Sequence, residues 1–100
     1  MAHEPIMPPT HPGKFLRLEF LEPLGMTDEQ LADELGVPPA EITELTGERR
    51  GITTDLGVRL SRHFGLSDGF WIRLQRHYDS EMAKDRAAGV HYGAEQPPGR

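Results

Sequence analysis

One hundred residues make one domain's worth of chain, of which 36% is apolar and 27% charged, a balance that fits a globular protein with polar ends. The absence of cysteine excludes disulfides, thiol nucleophiles and Cys-ligated zinc, and the net charge of −5 argues against a nonspecific nucleic-acid coat protein. No apolar run approaches the roughly 18 residues of a membrane span, and MAHEPIMPPT lacks the basic and apolar regions of a secretory signal, so a cytoplasmic address is the default expectation.

In chain order, residues 1–10 hold three prolines and no periodicity, and are expected to form a flexible arm. His11-Pro12 opens a first helix with proline in its first turn, and Phe15, Leu16, Phe20, Leu21 and Leu24 give it an apolar stripe. Thr27, with Gln30 three residues on, is a capping box that starts a second helix, which buries Leu31, Ala32 and Leu35 and stops at Gly36. A third helix begins at Pro38-Pro39 and buries Ile42 and Leu45 before Gly47. Thr53 caps a fourth, with Asp55 near its positive end, Leu56, Leu60 and Phe64 on its core face, and Gly65 after it. Ser67 and Asp68 start a fifth, whose stripe is Phe70, Trp71, Leu74, Tyr78 and Met82. Nothing alternates with period two for long enough to make a strand. The expected fold is all-α, with five helices over 11–86 and a Gly/Pro-rich tail over 87–100.

One spacing carries functional information. Ala32 is followed by Gly36, then Ile42, then Leu45. A small residue lets two helices close, a glycine reverses the chain between them, and two apolar residues clamp the following helix from one side. This is the arrangement of a helix-turn-helix over about 27–47, whose second helix offers its other face to a major groove.

A wider set of residues narrows the class. HPGKFLRLEFLEPLG, LADELGVPPAEITEL and RRGITTDLGVRLSRHFGLSDGFWIRLQRHYD together resemble the HigA-type antitoxins of the Xre-like helix-turn-helix family, over about residues 11–82. The resemblance implies a homodimer that binds operator DNA upstream of its own operon as an autorepressor, and a dimer with its two third helices in successive major grooves would make that operator an inverted repeat. It also implies that the chain neutralises a RelE-like (HigB-like) mRNA-cleaving toxin. An Xre-like regulator without a toxin, and a helix-turn-helix scaffold that has lost DNA binding, are the alternatives.

Carried over to this chain, the DNA-contact set is Thr27, Ala40, Thr43, Glu44, Thr46, Arg49 and Arg50. Ala40 suits a thymine methyl and Glu44 a cytosine amino group. Two positions depart from the family pattern: Asp28 stands where glutamine is common, and Glu41 where arginine is. From Met26 to Gly51 there are seven acids against Arg49 and Arg50 alone, which works against phosphate contact and suits a basic toxin. Phe70, Trp71, Leu74 and Tyr78 are the expected dimer interface; core packing is the alternative for an aromatic stripe. The five histidines show no metal-ligand spacing, so neither a metal nor another cofactor is expected. With no phosphate loop, nucleophile elbow or HExxH pair, neither is catalysis. Leu18 falls on the polar side of the first helix, and Gly57 sits inside the fourth, where close packing or simple tolerance accounts for it.

Overall fold

The computed structural model describes residues 10–89. Apart from Thr10 and the stretch from Ala87 to Gly89, the expected arm over 1–10 and tail over 87–100 lie outside the described residues. Among the described residues there are five helices and no strand. The first, α1, runs as α-helix over Pro12–Leu16, widens to a π-helical turn over Arg17–Leu21, and closes as α-helix over Glu22–Leu24. It is followed by α2 (Asp28–Leu35), α3 (Pro39–Thr46), α4 (Thr54–His63) and α5 (Phe70–Ala87). No helix among them is long and apolar enough to cross a membrane.

The π turn explains a spacing that a regular helix cannot use. Leu16 and Leu21 are both buried although five residues apart, and the wider turn brings them to one face. Leu24, expected in the same stripe, is instead 60% exposed, because it lies in the last turn where no described helix covers it. Ser67 and Asp68 do not start α5. They belong to a turn whose side chains are taken up elsewhere, Ser67 accepting from Arg73 and Asp68 from Arg62.

The core gathers Leu16, Leu21, Leu31, Ala32, Leu35, Ile42, Leu45, Leu56 and Leu60 around Trp71, which is fully buried. Phe15, Phe20 and Phe70 surround the indole with ring centroids 5.5–5.7 Å away, within the range in which aromatic pairs attract beyond their burial. Gly13 is required by close approach: any Cβ there would overlap the carbonyl oxygen of Leu45, so the absent side chain lets α1 lie against the end of α3. Gly57 has a similar reason. A Cβ would stand 3.0 Å from Ile72 Cγ1 and 3.1 Å from Ile52 Cγ2, so the glycine admits close packing of α4 on α5.

Candidate nucleic-acid interface

The turn between α2 and α3 follows from its end residues. Thr27 Oγ1 accepts from the Gln30 N–H at 3.0 Å, and Gln30 Oε1 accepts from the Thr27 N–H at 2.8 Å, so the capping box is complete. At the other end Gly36 takes a φ of 74°, and the Val37 N–H bonds back to the Ala32 carbonyl at 3.0 Å. Guanidinium groups from other helices hold the C-terminal carbonyls of both helices. Arg59 Nη1 donates to the Leu35 oxygen at 2.8 Å, and Arg17 Nη1 to the Thr46 oxygen at 3.0 Å. Cations at those ends also suit the helix dipoles.

α3 buries Ile42, Leu45 and Thr46. At about 100° per residue, Ala40 and Glu44 lie opposite that buried side, with Glu41 and Thr43 flanking them. The helix ends in a Schellman motif, the Glu48 N–H bonding to the Leu45 carbonyl and the Arg49 N–H to the Glu44 carbonyl at 2.9 and 2.8 Å. The left-handed residue of this motif is Glu48, with φ 62°, because Gly47 sits one position too early to take it. The loop that follows is tied to α5 by Gln75, whose Oε1 accepts from the Ile52 N–H at 2.7 Å while its Nε2 donates to Asp79.

Within this frame the expected contact residues separate. Ala40 is exposed at the centre of the outward face, and Thr43 donates its hydroxyl to the Ala40 carbonyl beside it. Thr27 is exposed, and its oxygen serves the cap while its proton has no acceptor among the described residues. Arg49 is exposed, and its guanidinium has no hydrogen bond or ion pair among the described residues. Arg50 is engaged: Nε and Nη2 meet Glu44 Oε1 at 3.1 and 3.0 Å, and Nη1 is 3.8 Å from Glu41 Oε2. Thr46 leaves the accessible set, being 7% exposed with its hydroxyl donated to Asp28 Oδ2 at 2.9 Å.

That bond also accounts for Asp28, which ties the start of α2 to the end of α3 and lies favourably at a helix N-terminus. Sequence reasoning missed this role, as it missed Gln75. Lys14, one residue beyond the point where α1 meets α3, is a further exposed cation. The acid block is therefore partly neutralised from within, because Arg50 covers Glu44 and Glu41; Glu34 separately meets His63 Nε2 at 3.0 Å. Among the described residues no group of three or more acids and histidines is arranged to hold a metal.

The expected dimer stripe faces mostly inward. Trp71 is enclosed by its own chain and cannot reach a second copy. Phe70 and Leu74 pack against the core and Tyr78 against His11, with ring centroids 4.9 Å apart, leaving only half-buried edges. His11 is itself buried, and its Nδ1 accepts from the Gly13 N–H at 2.9 Å as the cap of α1. Burial pushes the imidazole below its ordinary value, against the opposing pull of the Glu48 and Asp79 carboxylates. Burial likewise raises the Tyr78 phenol, helped by Glu48 and then Asp79, with Arg86 acting the other way.

Two helices locked at a glycine turn, with the second presenting a polar face outward, define a helix-turn-helix domain of the class found in transcriptional regulators. Comparison with known proteins narrows this. Antitoxin HigA-1 of Vibrio cholerae is 31% identical over 78 residues, covering 78% of this chain and 73% of the relative. Virulence-associated protein I of Dichelobacter nodosus is 45% identical over 85 residues, covering 85% and 79%. The structure of Pseudomonas aeruginosa antitoxin HigA with the higBA promoter superposes with a TM-score of 0.74 at 36% identity, covering 92% of this chain and 99% of that one. Antitoxin GraA in complex with its operator gives 0.74 at 30% identity, covering 95% and 100%. No family model matches the chain. The chain belongs to the HigA-type antitoxins, whose relatives are antitoxins and helix-turn-helix regulators rather than enzymes.

Proposed function

We propose that this protein is an autorepressing antitoxin: as a homodimer it binds an inverted repeat upstream of its own operon through α3, and it neutralises a RelE-like ribonuclease encoded beside it. The observation that carries the DNA half is the outward α3 face, exposed Ala40 with half-buried Thr43 and Glu44, followed by the exposed and unengaged Arg49, on a backbone like those of relatives solved with promoter and operator DNA. Thr27, Arg49 and Lys14 serve the phosphates, while Ala40 and Glu44 address base edges. Two copies meeting through the exposed edges of α5 set their α3 helices in successive major grooves, about 34 Å apart. The remaining acids, Glu29 and Asp33 on α2 foremost, favour a basic partner, as a nuclease that handles mRNA would be.

Two assays test this. Footprinting on the upstream DNA should show two protected major-groove patches one helical turn apart, on one side of the duplex. Adding the protein to the neighbouring gene product should stop its cleavage of mRNA. Protection without a repeat, or cleavage that continues at saturating protein, would overturn the corresponding half.

A further inference from the structure

Glu44 occupies the middle of the face that α3 turns outward, where a carboxylate is the least expected side chain in a DNA interface. Its environment removes much of that difficulty. Both short contacts from Arg50, at 3.0 and 3.1 Å, fall on Oε1, and Arg50 is held from the other side by Glu41. Oε2 of Glu44 has no partner among the described residues. The side chain is therefore fixed through one oxygen and offers the other, with the group's charge compensated by the guanidinium.

We propose that Glu44 selects a cytosine at one position of each operator half-site, with Arg50 as the positioning residue that aims it; this rests on the reading that α3 enters the major groove. The chemistry of the groove picks the base. Cytosine presents an amino donor alone. Guanine presents two acceptors and thymine an acceptor beside a methyl, and both repel a carboxylate. Adenine sets its N7 acceptor next to its amino group, so a lone carboxylate oxygen meets repulsion there as well. Ala40, one turn earlier on the same face, is too small to obstruct this approach.

The test is selection from a library randomised across the half-site, followed by sequencing, with the wild-type protein and E44A, E44Q, R50A and R50K, each checked for helical content. Wild type should enrich cytosine at one position by about 5- to 150-fold, the range of one good base contact. E44A should lose that preference and keep the rest of the pattern. E44Q should move the preference to adenine, which a glutamine meets with both its donor and its acceptor. R50A should blur that one position more than the others, and R50K should restore part of it. A cytosine preference that survives E44A overturns the assignment. R50A weakening every position equally makes Arg50 a phosphate contact instead. Failure of the wild-type protein to enrich any sequence would defeat the operator reading itself, an outcome read before any variant is compared.

Discussion

Glu48 holds a φ of 62°, in the left-handed region that costs a side-chain-bearing residue about 1–2 kcal/mol. The Schellman bonds around it, 2.9 and 2.8 Å, enforce that conformation. Glu48→Gly removes the steric cost but loosens the unfolded chain, which returns about 0.4–1 kcal/mol. The net expectation is a gain of about 0.5–1 kcal/mol, or roughly 2–8 °C in melting temperature for a domain of this size. Glu48→Gln isolates the charge, since it keeps the strained conformation; its stability should stay within about 0.5 kcal/mol of wild type. Both variants remove a carboxylate beside Arg49. Opposite a phosphate at roughly 8 Å in a water-like medium that is worth about 0.5 kcal/mol, so DNA binding should tighten about twofold in each. Thermal unfolding by circular dichroism, paired with binding at one fixed salt concentration, reads the two effects separately. If E48G is no more stable than E48Q, the left-handed conformation costs no more than the freedom glycine returns to the unfolded chain, and the expected gain fails.

Other expectations follow from the same geometry. Arg49→Ala should weaken binding to all sequences alike and lower the salt slope by about one, and an unchanged slope removes it from the phosphate contacts. Ser61 is fully buried and its hydroxyl has no partner among the described residues, so Ser61→Ala should stabilise the domain by about 1–2 kcal/mol in urea titrations; destabilisation would reveal a bond to that hydroxyl. His11 is held neutral by burial, so its folded pKa lies below the unfolded value near 6.5. Its contribution is whole above that value and is lost as pH falls through the folded pKa, because the unfolded chain takes up the proton first. His11→Asn, which keeps a capping side chain, should therefore flatten the loss of stability on acidification; equal loss in both proteins would clear His11 of the effect.

The helices were legible because their ends carry side-chain signals that act locally. Thr27 with Gln30, Thr53 and the glycine after Leu35 work through bonds spanning a few residues, so the sequence displays both partners. What escaped depends on distance along the chain. Thr46 entered the contact set through the family resemblance, yet its hydroxyl belongs to Asp28, eighteen residues away. Arg50 and Arg49 look equivalent in sequence, and only the folded loop gives one to Glu44 and leaves the other unengaged. The stripe on α5 had the spacing of either a core or an interface, and Trp71 settles its own place by lying among Phe15, Phe20 and Phe70. The π turn in α1 left no sign in the periodicity, and Leu24 read as core because the spacing does not show that no helix covers the last turn.

The central claim is that α3 serves as a recognition helix despite its glutamates. The most direct measurement is a titration of the purified protein against its own upstream DNA at several salt concentrations, with and without the neighbouring gene product. Saturable, salt-sensitive binding to one inverted repeat is the predicted result. No binding at low salt, even with the partner present, would contradict it and leave the helix-turn-helix as a scaffold for protein contact alone.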